Sequence, residues 1–351
     1  MIFLYLFVPA LLLIPLPERG SAAAPQGFFA DHMKPERILP VKGFFVLLVF
    51  FRHAGSYLNL SEAARDTLFL RIDRGLDQLI VTMFLFYSGF GLYDSIQRKG
   101  QSYLRSFPRK RLLRIWLRFV FCVCLFLVYA VAAGQHYPLR QILLSMIGWD
   151  HIGNSNWYMF VTFCLYILLW LVFRFAKRKD AAVTLAVFSA AALLLIIVLA
   201  VTKPKLYWWY NTIPCFVLGM WYHRFRAQTD RAVQRSGRRY WCCVLTAALF
   251  CGGFLTDYYV TGQTVLFMIG AVLFTLLILL LTMKIRVRSR TLAFFGRHMF
   301  SIYMLQRLSF LLLSGFSLHP YVYFLLSFLL TVGMALAADL FFAHTEQRLF
   351  A

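Results

Sequence analysis

The chain has 351 residues, 61% of them hydrophobic and only 14% charged, with a formal net charge of +22. A soluble globular protein of that composition would expose far too much apolar surface to water, so a lipid bilayer is the expected solvent. The positive charge is dispersed in short clusters between apolar runs, which argues against nucleic-acid binding and suits the connections of a polytopic membrane protein.

The first apolar run, Ile2 to Leu16, precedes "SAAAP". That stretch looks like a signal-peptidase site but lacks the basic region such a signal needs. The preferred reading of residues 1–35 is an uncleaved short span with an external N-terminus, followed by a linker. Runs of about 20 apolar residues, enough to cross a bilayer, then lie near 41–58, 76–95, 113–133, 157–174, 181–201, 207–223, 240–259, 263–283, 292–313 and 320–342. The expected fold class is therefore all-α: a polytopic bundle of about ten or eleven transmembrane helices, with its main domain over 36–342 and a cytoplasmic tail at 343–351. The segment "LRQILLSMIGWD" (139–150) is only moderately apolar and reads as interfacial or re-entrant.

The connections set an orientation. The 94–118 connection carries Arg98, Lys99, Arg105, Arg109, Lys110, Arg111, Arg114 and Arg118; Arg174, Lys177, Arg178 and Lys179 follow the 157–174 span. Six arginines lie in 222–239, and Lys284, Arg286, Arg288 and Arg290 lie in 284–290. The intervening connections are poor: one arginine in 134–156, two lysines in 202–206, and no basic residue in 257–262 or 314–319. The basic connections share one parity, which places them in the cytoplasm. All seven cysteines lie in or beside spans with no CxxC spacing and no clustered histidine, so buried free thiols are expected, with neither disulfides nor a metal site.

One span carries a candidate base. "VKGFFVLLVFFRHAG" (41–55) puts Lys42 at the cytoplasmic entrance and His53 eleven residues further on. At about 100° per residue the two differ by roughly 20° around the helix axis and by roughly 16 Å along it. A single helix face thus carries a cation at the rim and a titratable imidazole near mid-membrane. An ionisable group at that depth usually marks a functional path, although a satisfied core histidine is the blander alternative.

The companions of this pair resemble the acyltransferase-3 family of polytopic membrane acyltransferases along nearly all of 36–342. That family opens its first common helix with a basic residue, ten residues and a histidine, matched by "KGFFVLLVFFRH" (Lys42, His53). A helix ending in Ser-Gly is matched by Ser88-Gly89 in "FLFYSGFGLYDS", and an Arg-x-x-Arg by "RLLR", Arg111 and Arg114. "NSNWYMFVTFCLYIL" resembles a Trp-containing helix start (Trp157), "CFVLGMWY" the Phe-x-x-Gly stretch (Phe216, Gly219), and "FFGRHMFSIYMLQR" the closing Gly…Ser-Ile-Tyr element with Tyr303. No one of these is specific; six in order are. This chain departs from many relatives in having Gln306 where they have histidine. Glutamine accepts no proton but still holds a hydroxyl by hydrogen bonding, so Gln306 is expected to position substrate.

The resemblance implies an enzyme that moves an acyl group, most often acetyl, from acyl-CoA to a hydroxyl of a cell-envelope carbohydrate or lipid-linked glycan. Acetyl-CoA is then a co-substrate, no metal takes part, and the location is multi-pass in a plasma membrane of bacterial type. Lys42, Arg111 and Arg114 would bind the coenzyme A phosphates. His53 would act as base or acyl carrier, and Trp157, Tyr303 and Gln306 would contact the acceptor. No GxSxG or Ser-His-Asp order is present, so a serine acyl-enzyme is not expected. For several companions a structural role stays open: Arg111 and Arg114 as positive-inside anchors, Trp157 as an interfacial residue, Ser88-Gly89 and Tyr303 as packing. Two further readings also stand beside this one: a transporter or flippase for glycan or lipid-linked sugar, and a regulator weakened in catalysis by Gln306.

Overall fold

The computed structural model describes residues 27–58, 74–176 and 180–349. The Ile2–Leu16 run, the "SAAAP" stretch and Lys177, Arg178 and Lys179 lie outside them. Twelve α-helices are defined among the described residues, with no β-strand: α1 Pro35–Gly55, α2 Leu79–Phe107, α3 Arg114–Ala132, α4 Leu139–Met146, α5 Trp157–Phe175, α6 Ala181–Thr202, α7 Ile213–Gln234, α8 Gly237–Thr261, α9 Thr264–Thr282, α10 Arg290–Arg297, α11 Met299–Leu313 and α12 Pro320–Leu349. The runs expected over 41–342 all fall on helices, but 292–313 is split between α10 and α11, and 207–223 is helical in α7 only from Ile213. Among the described residues seven stretches are long and apolar enough to cross a membrane, and the protein is an integral, multi-pass one.

The difference between seven and ten has physical causes. Arg74–Ala132 counts as a single 59-residue stretch, but at 1.5 Å per residue it would be roughly 88 Å long, nearly three hydrocarbon thicknesses. It is interrupted at Gly100, whose φ of 55° and ψ of −138° are not helical. Beyond Gly100 the chain doubles back beside α5: the side chain of Gln101 meets Arg174 at 3.3 Å, the Leu104 carbonyl accepts from Trp170 Nε1 at 3.0 Å, and Phe107 packs on Tyr166. A π-helical turn, Pro108–Leu113, then leads into α3. The expected basic connection at 94–118 is therefore largely helical. α7 and α11 account for the other two runs, α7 carrying its arginines within the helix and α11 having only 15 residues. The stretch expected as a tail continues α12 as far as Leu349.

Helix ends follow the sequence. Asp180 accepts from Ala182 N, Ser236 from Arg239 N and Ser289 from Leu292 N, which gives α6, α8 and α10 their N-caps. Gly262, at φ 71°, ends α8 and begins the hairpin into α9. The face of α6 carrying Leu193, Leu194, Ile197 and Val201 is half or more exposed, which is what a lipid-facing helix needs. The cysteines are free, as expected, but they are not all buried: Cys124 and Cys242 are exposed on the outside of the bundle, where a weakly polar thiol meets lipid.

Two reciprocal glycine contacts set the core. A Cβ on Gly43 would collide with the Leu292 carbonyl, and one on Gly296 with the Leu39 carbonyl, so α1 and α10 touch backbone to backbone. Gly89 and Gly219 do the same for α2 and α7, against the carbonyls of Phe216 and Phe86. Small residues permit such close approach in lipid, where helices gain little from burying apolar area.

The basic connections gather at one end of the bundle. Arg226 Nη2 donates to the Ala30 carbonyl at 3.0 Å, Lys284 lies over the Phe28 ring, and Arg286 is 3.9 Å from Asp31. His32 is fixed there between the Phe29 carbonyl and the Tyr222 hydroxyl, each at 2.9 Å. Burial holds its imidazole below the ordinary value, with Asp230 opposing.

Candidate active site

α1, α2, α3, α5 and α11 enclose a cavity of about 310 Å³. Its polar wall consists of Lys42 from α1, Ser88 from α2, Arg111 from the π-turn, and Tyr158, Thr162 and Tyr166 from α5. The Ser88 and Tyr166 hydroxyls share a hydrogen bond of 2.7 Å. Lys42 Nζ stands 5.8 Å from the centre of the Tyr87 ring, which also lines the space. Among the described residues no acidic side chain lines this cavity, which leaves two cations facing it.

The π-turn explains why Arg111 and Arg114 separate. Widening one turn to i→i+5 bonding rotates the residues after it relative to those before it. Arg111 faces the cavity, whereas Arg114 lies 3.5 Å from Glu346 of α12, beside the two-point pairing of Arg118 with the same carboxylate. The structure thus joins Lys42 with Arg111 and places Arg114 outside the cavity lining.

His53 lies beyond the cavity on the same helix. Both turns of α1 face α11: Lys42 across the cavity from Met299 and Phe300, His53 against Tyr303 with ring centres 6.3 Å apart. Tyr303 packs edge-on to Tyr158 at 5.3 Å, and Tyr158 lines the cavity. Two tyrosine rings therefore stand between the cations and the imidazole. His53 Nδ1 is shielded from solvent and has no hydrogen-bond partner among the described residues. Gln306 is fully buried; its Nε2 donates to the Tyr303 carbonyl at 3.1 Å while Oε1 has no partner among the described residues. Trp157 opens α5 with its ring against Tyr158, outside the cavity lining.

Several contributors escaped the sequence reading, Thr162 and Tyr166 of the cavity wall among them. Tyr158 follows the expected Trp157 and does the lining instead. Ser155, 3% exposed, sits next to the Tyr303 hydroxyl. Arg307 sits one turn beyond Tyr303. A charge inside the 292–313 apolar run was the available signal for it. Among the described residues no group of three or more His, Cys, Asp or Glu side chains could hold a metal ion.

A family model described as an acyltransferase domain matches residues 41–342, most of the chain, and the chain belongs to that acyltransferase-3 family. Neither a curated protein nor a solved structure matches it.

Proposed function

We propose that this membrane acyltransferase takes an acyl group, acetyl in the simplest case, from acyl-CoA at the basic end of the bundle, which is the cytoplasmic end. It delivers that group to a hydroxyl of a cell-envelope carbohydrate or lipid-linked glycan at the opposite end. The observation that carries this reading is the chain of ring contacts that links the Lys42–Arg111 cavity through Tyr158 and Tyr303 to His53. A cavity of about 310 Å³ suits the thioester arm, while the bulkier nucleotide stays at the rim near the exposed Arg111. Two cations without a carboxylate in the cavity wall suit its phosphates. Arg114, engaged with Glu346, contributes positive potential rather than a direct contact.

At the far end the acceptor oxygen attacks the thioester carbonyl, forming a C–O bond. The C–S bond breaks, coenzyme A leaves as thiolate, and His53 takes the hydroxyl proton and returns it to the sulfur. A route in which His53 first carries the acyl group fulfils the same balance in two steps. Tyr303 and Tyr158 exclude water from the thioester, and Gln306 Oε1 is placed to accept a hydrogen bond from the acceptor.

Membrane vesicles given labelled acetyl-CoA test the reading: label should enter an envelope glycan or glycolipid fraction in step with the amount of protein. A transporter leaves no covalent label in any fraction. Orientation is tested separately. A cysteine at Arg105 should resist impermeant reagent in sealed cells, and one at Asp257 should react; the reverse pattern would remove the cytoplasmic donor site.

A further inference from the structure

We infer that the acceptor carries a carboxylate or phosphate, bound by Arg307, about one helical turn from the hydroxyl that His53 deprotonates; this rests on the acyl-transfer reading above. The geometry is a two-rung ladder between α1 and α11. His53 faces Tyr303 on one rung. On the next, Arg307 Nε donates to the Tyr57 hydroxyl at 3.3 Å. Tyr57 lies in the turn just past the end of α1, four residues after His53, and Arg307 lies four residues after Tyr303 on α11, so the second rung sits about 6 Å further along α11, comparable with the width of one sugar ring.

Arg307 differs from the ion-paired arginines of the basic end. Arg98, Arg118 and Arg226 at the basic end each meet a carboxylate, from Asp94, Glu346 and Asp230. Arg307 stands at the opposite end, partly exposed, and among the described residues its hydrogen bonding is confined to the Tyr57 hydroxyl, through one of the five N–H donors that a guanidinium has. Its planar fork is suited to two-point binding of a carboxylate or phosphate. The polar atoms nearby are also incomplete. Gln306 Oε1 and His53 Nδ1 are shielded and without hydrogen bonds among the described residues, although buried polar groups are seldom left so. An acceptor and a ring nitrogen without hydrogen bonds, on the same helix pair as a guanidinium, are groups that a hydroxylated anion would complete.

The test uses full-length protein in phosphatidylcholine nanodiscs, with a glucosyl lipid and a glucuronosyl lipid as matched probes that differ in one carboxylate. Native mass spectrometry reads retention of each probe without requiring turnover, and acetyl transfer from acetyl-CoA is measured in parallel. Wild type should retain the glucuronosyl lipid about tenfold or more better than the glucosyl lipid, the least expected of one charge-assisted contact. Arg307→Gln should remove that preference while leaving the acetyl-CoA KM unchanged, and Arg307→Lys should keep part of it, which separates lost recognition from lost folding. Phosphatidylglycerol is the third probe: if Arg307→Gln lowers its retention as much as that of the glucuronosyl lipid, Arg307 anchors lipid headgroups and the proposal fails. It also fails if wild type shows no preference between the sugars. Retention with the expected preference but no acetyl transfer or coenzyme A release would overturn the acyl-transfer reading while leaving the anion site in place.

Discussion

The two ends of α1 meet opposite surroundings. Around Lys42 there is open volume, a second cation in Arg111 and a closed hydroxyl pair between Ser88 and Tyr166. Around His53 the space is filled by tyrosine rings, and among the described residues polar atoms of His53 and Gln306 stand without partners. The first arrangement suits holding a polyanion, because positive charge facing an empty polar volume needs only a counter-charge. The second suits chemistry, because unsatisfied groups gain most when a reacting hydroxyl completes them. One helix presents both because eleven residues bring its face round to the same side.

The sharpest way to break this contrast is at His53. His53→Ala should lower acetyl transfer by about 10²–10⁴-fold, the usual share of acid–base catalysis, with the acetyl-CoA KM little changed. His53→Gln should not restore it, since glutamine takes up no proton; full activity in that variant would make the histidine a packing residue. At the other end, Lys42→Ala and Arg111→Ala should each raise the acetyl-CoA KM while kcat moves little. At about 1.5–3 kcal/mol per charge-assisted contact, the rise is roughly ten- to a hundredfold. A fall in kcat with constant KM would merge the two ends into one site.

Gly43→Ala tests whether the ends depend on a common frame. Its methyl would collide with the Leu292 carbonyl, and an overpacking cost of about 1–3 kcal/mol is expected. Thermal unfolding should move down, and activity should fall with the amount of folded protein while KM holds. The smallest effect is expected from Arg114→Ala. Its partner is Glu346, and a partly exposed ion pair contributes at most about 1 kcal/mol. The acetyl-CoA KM should change less than twofold; a rise equal to that of Arg111→Ala would put Arg114 back among the phosphate ligands.

Some parts of the site were legible because they depend on residues close in sequence. Lys42 and His53 lie on one continuous helix, and a constant twist per residue is enough to relate them. Arg111 and Arg114 show the limit of that rule. A π-turn intervenes between them, and three residues of spacing then send one to the cavity and the other to α12. Gly89 was legible as a residue permitting close packing, but the packing roles of Gly43, Gly219 and Gly296 were not: nothing local couples Gly43 to Gly296 or Gly89 to Gly219. Tyr158 was hidden beside a tryptophan with a stronger signal, and Arg307 within a run read mainly for its hydrophobicity.

The sequence by itself determined that this chain is a multi-pass helical membrane protein, because apolar runs of bilayer length have no other stable solvent. It also determined which end collects positive charge, since the clusters alternate along the chain. Only the tertiary structure decided that Gly100 folds a single 59-residue stretch back on itself. It alone decided that two tyrosines from different helices separate cavity from imidazole, and that Arg307 stands opposite Tyr57. Those relations join residues some 145 to 250 positions apart. They arise from which helix faces meet in the packed bundle, a property that periodicity along any one helix does not contain.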